Sequence, residues 1–147
     1  MSATISSIHY CPVKSVSFQN VSSCEIKKNI GIVGDRIFAF AKGLNLEEAK
    51  KFEKDPEDRR GKWNKILTLK NSPAMNKYKF LLNGNDLTLS YKNEKILTIN
   101  AYEFSEYELV SKKISELENS LKDPIVLMQN KISPFFDTSI SNKTVLT

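Results

Sequence analysis

Long apolar runs are missing from this chain. Its 147 residues contain no stretch of the roughly 18 apolar residues that a bilayer-spanning helix requires. The N-terminus, MSATISSIHY, has no basic segment followed by an apolar one and no arginines, so it reads neither as a secretory signal nor as a transit peptide. The expected location is the cytoplasm. Cysteine is scarce as well: only Cys11 and Cys24 occur, without the paired spacing of a zinc site. In a reducing compartment, two such thiols are expected to be small hydrophobes rather than a disulfide. His9 is the single histidine and is expected to serve a strand structurally. No internal repeat or low-complexity block is visible, and neither Asp123 nor Asp137 has a partner at a spacing that announces a carboxylate pair.

Charge of one sign is never concentrated. The formal charge is +5, from 22 Lys and Arg against 17 Asp and Glu, which pulls weakly toward anionic partners. Acids are interleaved with the lysines throughout, as in EEAKKFEKDPEDRRGKW. A length of 147 residues suits one domain, or one domain with a fragment of a second.

What is present is an alternating, period-two pattern. It predicts strands at 5–10, 22–28, 36–41, 63–69, 79–82, 86–91 and 95–100. YKFLLNGNDLTLSYKNEKILTIN predicts a three-stranded meander, because Asn83-Gly84-Asn85 and Lys92-Asn93 supply turns that tolerate positive φ. LNLEEAKKFEKDPEDRRGKW predicts a long exposed excursion that opens with a short helix at 46–52. From Ser105 the period lengthens to that of a helix. Ser105 and Glu108 have capping-box spacing, so a helix is expected over 106–121, stopped by Asp123-Pro124. IVLMQN then predicts one more strand, and the terminal Thr-Val-Leu starts like another, which predicts a fold continuing past Thr147. The fold class expected is mainly β with one or two helices (α+β): a small barrel over 1–104, then 105–147 as a helix, a strand and an incomplete lead-in.

Two turns could carry chemistry. In YCPVKS, Pro12 withdraws a ladder donor and releases the backbone just before Lys14 and Ser15. An ammonium, a hydroxyl and freed N–H groups at such a turn can receive an oxyanion. In GIVGDRIFAF, Gly34 permits a tight turn and Asp35 can orient Arg36 by a charge-assisted hydrogen bond. Taken alone, a lysine at a strand end and an Asp-Arg pair at a turn read more readily as solvated surface. Cys11, close to Lys14, reads either as a thiol of lowered pKa or, more simply, as a buried strand thiol. Trp63, Tyr91, Phe135 and Phe136 are expected in the core or at an interface rather than as base-stacking platforms, and DPEDRRGKW is expected to be a solvated loop.

Together, YCPVKS, GIVGDRIFAF and ILTLKNSPAMNKYKFLLNGNDLTLS resemble the N-terminal β-barrel domain that precedes the MOSC (molybdenum cofactor sulfurase C-terminal) domain, in a family that includes the mitochondrial amidoxime reducing component and bacterial MOSC proteins. The resemblance spans about residues 4–130, and SPFFDTSISNKTVLT looks like the lead-in to the MOSC core. It implies a pyranopterin molybdenum cofactor, with Lys14, Ser15 and Arg36 contacting it, and at family level also pyridoxal phosphate binding. The parent would be an oxidoreductase or sulfur-transfer protein with a small-molecule substrate and an electron or sulfur donor as partner. The family's metal-ligating cysteine would lie beyond Thr147; neither Cys11 nor Cys24 matches it, so the chain offers no metal ligand and no catalytic residue. The alternative is a stand-alone basic barrel that binds nucleic acid or another polyanion. Nucleic acid is disfavoured because no strand alternates aromatics with Lys or Arg on one face.

Overall fold

The computed structural model describes residues 3–136. The fold is α+β and mainly β. Its elements in chain order are β1 (Ile8–Tyr10), β2 (Gln19–Val21), β3 (Ile26–Lys27), β4 (Gly31–Ile32), β5 (Phe38–Lys42), α1 (Leu46–Lys54), β6 (Tyr78–Asn83), β7 (Asp86–Tyr91), β8 (Glu94–Asn100), α2 (Tyr107–Leu117) and β9 (Ile125–Gln129). The terminal Thr-Val-Leu, Asp137 and most of the expected MOSC lead-in lie outside the described residues.

β5 pairs antiparallel with β9, from Phe38 opposite Gln129 to Lys42 opposite Ile125. The sequence FAFAK explains why this pair is central. Successive side chains of a strand point to opposite faces, so Phe38 and Phe40 enter one hydrophobic cluster while Ala39 and Ala41 enter another. On the phenylalanine side, Phe38 meets Tyr107 edge to face at 6.0 Å and Phe40 meets Phe80 at 6.2 Å. Val110 and Ile114 of α2 complete that cluster, together with Leu87 and Leu89 of β7 and Ile99 of β8. The alanine side is covered by Ala49 and Phe52 of α1. Small strand residues there leave room for the helix.

β6, β7 and β8 form the expected meander. Gly84 opens its first turn at φ 58°, the glycine-first pattern of a II′ hairpin, and Lys92-Asn93 form the second with both φ positive, as a I′ turn requires. β1 pairs with β2 and β3 with β4, while Val13 bridges Phe38, Ser17 bridges Lys79 and Ala41 bridges Ile66. Among the described residues these are four small sheets, and their ladders do not close into a barrel.

Three local expectations are corrected. Residues 63–69 are not a strand: a 3₁₀ turn at Trp63–Lys65 is followed by the single bridge at Ile66. Asn71 bends the chain there, its side chain accepting from the Thr68 N–H and donating to the Ile66 carbonyl, each at 2.9 Å. Ser105 and Glu108 form no box. α2 is entered through a 3₁₀ turn at Phe104–Glu106 without a side-chain cap, because the Glu106 carboxylate is taken by the Asn100 N–H at 2.8 Å. α2 also ends at Leu117, well before Asp123-Pro124. The capping box is on α1 instead, where Asn45 and Glu48 satisfy each other's backbone N–H groups.

Candidate functional site

Residues 11–14 run beside 36–38, and this pairing brings the two turns together. The Arg36 N–H donates to the Cys11 carbonyl at 2.6 Å, Phe38 N–H to the Pro12 carbonyl at 3.0 Å and Lys14 N–H to the Phe38 carbonyl at 2.9 Å. The Asp35 carboxylate closes the other end by accepting the Cys11 N–H at 2.9 Å. Gly34 makes the approach possible: at φ 90° it takes the third position of the turn closed by Asp35 N–H on the Ile32 carbonyl, where a type II turn demands positive φ.

A cavity of about 710 Å³ opens over this junction, and Lys14, Ser15 and Arg36 all line it. The three residues singled out from sequence therefore share one site. The solvated-surface reading fails for Lys14, which is only 4% exposed, with its ammonium 5.6 Å from the centroid of the Trp63 ring; Ser15 and Arg36 are half-buried. Asp35 holds the Arg36 guanidinium at 2.6 Å. The same guanidinium packs against Phe18 at 5.7 Å and Phe136 at 5.4 Å, contacts that suit a delocalised, weakly hydrated cation.

Sequence reasoning missed the opposite wall. Trp63, Asn64, Thr68 and Lys70 line it; the Trp63 ring packs against the alanine-side cluster, as a core residue would, and borders the cavity as well. Lys70 adds a third cation to the lining. The only advance signal was LTLKN within the family-like stretch.

The backbone here is strained. Ser15 (φ 66°) and Arg36 (φ 51°) are both in the left-handed region, which costs a residue other than glycine about 1–2 kcal/mol. Ser15→Gly is accordingly expected to raise Tm by about 1–2 °C, the released strain slightly exceeding the added freedom of the unfolded chain. If the cavity takes an anion, its affinity should fall about fivefold as one hydroxyl donor is lost. A thermal scan beside a phosphate titration checks both, and a lower Tm would mean the conformation is not strained.

The remaining candidates lie elsewhere or are engaged. The Cys11 thiol is buried and donates to the Val13 carbonyl at 2.6 Å. Burial pushes its pKa up, against the smaller lowering effects of backbone contacts and Arg36. It is a structural thiol, as its simpler reading expected. Cys24 is exposed and free. His9 is exposed and touches Ser7 at 3.1 Å, outside the cavity lining. Phe135 is core, and Tyr91 packs on Tyr78. Arg59 corrects the solvated-loop expectation, since it is 3% exposed. A second hollow beside β1 and β2, about 560 Å³, is lined only by residues such as Ile5, Ser7, Ile8 and Asn20 and presents no charged side chain. Among the described residues no three His, Cys, Asp or Glu side chains gather as metal ligands, and no helix is long and apolar enough to cross a membrane.

The chain matches no family model, no curated protein and no solved structure. Lys14, Ser15 and Arg36 bring two cations and a hydroxyl from two turns with positive φ to one cavity lining, a donor set whose chemistry suits an anion.

Proposed function

We propose that this chain is the N-terminal part of a MOSC-type molybdenum cofactor protein and that its cavity holds the phosphate-bearing end of the pterin. The observation that carries the reading is the convergence of Lys14, Ser15 and Arg36 on one cavity, because these residues come from separate turns and were the ones the resemblance implied. The donor set fits the group. Arg36, oriented by Asp35, offers a planar fork to phosphate, and Lys14 adds a point charge. The metal end finds no matching thiolate among the described residues, since Cys11 is committed to backbone carbonyls. When bound, the cofactor supplies oxidoreductase or sulfur-transfer chemistry; this chain's residues bind and orient its anionic end.

The test is to express the natural reading frame in a host that makes the cofactor and assay the purified protein for molybdenum and released pterin. Both should co-purify with the wild type. The Lys14→Ala/Arg36→Ala double variant should retain less than a hundredth of the affinity, since each charged hydrogen bond contributes about 1.5–3 kcal/mol. A folded wild type carrying neither metal nor pterin overturns the reading. Salt-dependent binding of an oligonucleotide by that empty protein would favour the polyanion-binding module instead.

A further inference from the structure

Arg59 lies outside the cavity lining, and its side chain joins the end of α1 to the segment that leads to Phe136. Its Nε donates to the Phe52 carbonyl at 2.9 Å and its Nη2 to the Glu53 carbonyl, two of the carbonyls left open at the end of α1. Its Nη1 reaches across to the Ser133 carbonyl at 2.9 Å, and its guanidinium carbon is 4.2 Å from the Phe135 ring centroid. Burial lowers its pKa to about 10 against the smaller raising effect of Glu53 and Asp55, so the group stays cationic at neutral pH.

Two chain segments run from this anchor to the cavity. In one direction the fork fixes the Arg59 main chain, whose carbonyl accepts the Lys62 N–H at 3.0 Å, and Lys65 N–H donates to the Lys62 carbonyl at 2.9 Å across the turn that holds Trp63 beside Lys14. In the other, Ser133 leads to Phe135, whose N–H donates to the Arg36 carbonyl at 2.9 Å, and to Phe136, whose ring contacts the Arg36 guanidinium. We infer that Arg59 is a positioning residue for the anion cavity: one buried fork fixes Trp63 and Phe136 together, and through them the settings of Lys14 and Arg36. The inference rests on the reading of that cavity as an anion site.

The surroundings separate this role from simple support of the loop. Residues 129–133 have anchors of their own: Asn130 Nδ2 donates to the Glu53 carbonyl at 2.7 Å, Gln129 N–H to the Glu53 carboxylate at 3.0 Å and Ser133 N–H to Asn130 Oδ1 at 2.7 Å. Loss of the fork therefore leaves the segment attached while freeing its last residues. Lysine keeps the charge but cannot span three carbonyls in one plane.

Trp63 is the chain's one tryptophan, so its emission reports the cavity wall directly. Wild type, Arg59→Lys and Phe136→Leu are titrated with inorganic pyrophosphate while Trp63 emission and the unfolding midpoint are followed. In Arg59→Lys the ligand-free emission should shift to the red and the pyrophosphate Kd should rise about tenfold or more, with circular dichroism unchanged. Phe136→Leu, which leaves Arg59 and Trp63 in place, should raise the Kd severalfold without the emission shift. A folded Arg59→Lys protein with wild-type emission and Kd overturns the inference, as does an unchanged Kd in Phe136→Leu should the lysine variant fail to fold. A wild type that gives no pyrophosphate response overturns the anion reading itself, and the inference falls with it.

Discussion

Asp35→Ala is expected to lower stability by about 3 kcal/mol and Tm by about 10 °C. One carboxylate oxygen accepts the buried Cys11 N–H and the other holds Arg36. The alanine leaves that N–H without its acceptor, at about 1–3 kcal/mol. It also strips the partner from a guanidinium whose side chain is only 30% exposed. Breaking a fully buried pair costs about 3–5 kcal/mol, and the partial exposure of Arg36 brings the sum toward the lower figure. Asp35→Asn separates the two contributions, because an amide oxygen still accepts from Cys11 while the charge is gone. The expected Tm order is wild type, then Asp35→Asn, then Asp35→Ala, and anion affinity should fall in both variants as Arg36 loses its orientation. Equal Tm for wild type and Asp35→Ala would show that the carboxylate does not join the two turns.

The joint at Asp35 also shows why the site was half visible in the sequence. Each turn announced itself locally, through Pro12 before Lys14 and through Gly34 before Asp35-Arg36. The parallel bridge of Val13 with Phe38 leaves no local pattern, so nothing in the alternation placed Lys14 beside Arg36 or buried it. The resemblance implied that link but no role for Trp63, whose ring position depends on contacts at Arg59 and on the bend at Asn71. The meander and α1 were legible because their determinants are near neighbours: positive-φ turns at Gly84 and Lys92-Asn93, and apolar Ala49 and Phe52 on one helix face. The strand expected at 63–69 failed for the converse reason. Its period of two is real, and side-chain hydrogen bonds from Asn71 outcompete a ladder that has only β5 beside it.

Strain sharpens the functional argument. Among the described residues, five other than glycine have positive φ. Asn29 and Asn93 are asparagines, which tolerate that region, and Lys92 shares a I′ hairpin turn with Asn93. The remaining two, Ser15 and Arg36, both line the cavity. Neither position contains the glycine that would relieve it, so among the described residues the strain that no turn type requires falls at the cavity lining, as the proposed anion site would use it.

Glu118→Gln is expected to lower Tm by about 3–6 °C at pH 7, and the deficit should shrink as the solution is acidified. Glu118 follows the last residue of α2 and ties it to the start of β6. Its carboxylate takes a hydrogen bond from Lys77, accepts from the Ser120 hydroxyl, and lies 3.4 Å from the Tyr78 hydroxyl. Lys77, and then Ser120, hold its pKa at about 2, well below an ordinary 4.5, against the opposing effect of burial. A folded-state pKa below the unfolded one stabilises the fold above the unfolded value, and the contribution disappears as pH falls from about 4.5 through about 2. The Lys77 side chain is 40% exposed, and solvent screening of that partner reduces the contribution to about 1–2 kcal/mol. Glutamine keeps the acceptor toward Ser120 but cannot titrate, so the two Tm curves should converge between pH 4.5 and pH 2. On the alkaline side the same pair raises the Lys77 pKa above its ordinary 10.5, so that contribution is lost only as pH rises through the still higher folded value. Convergence in acid together with parallel curves from pH 6 to 9 identifies the charge of Glu118 as the link between α2 and β6. A gap that stays constant down to pH 2 assigns its effect to packing and neutral hydrogen bonds.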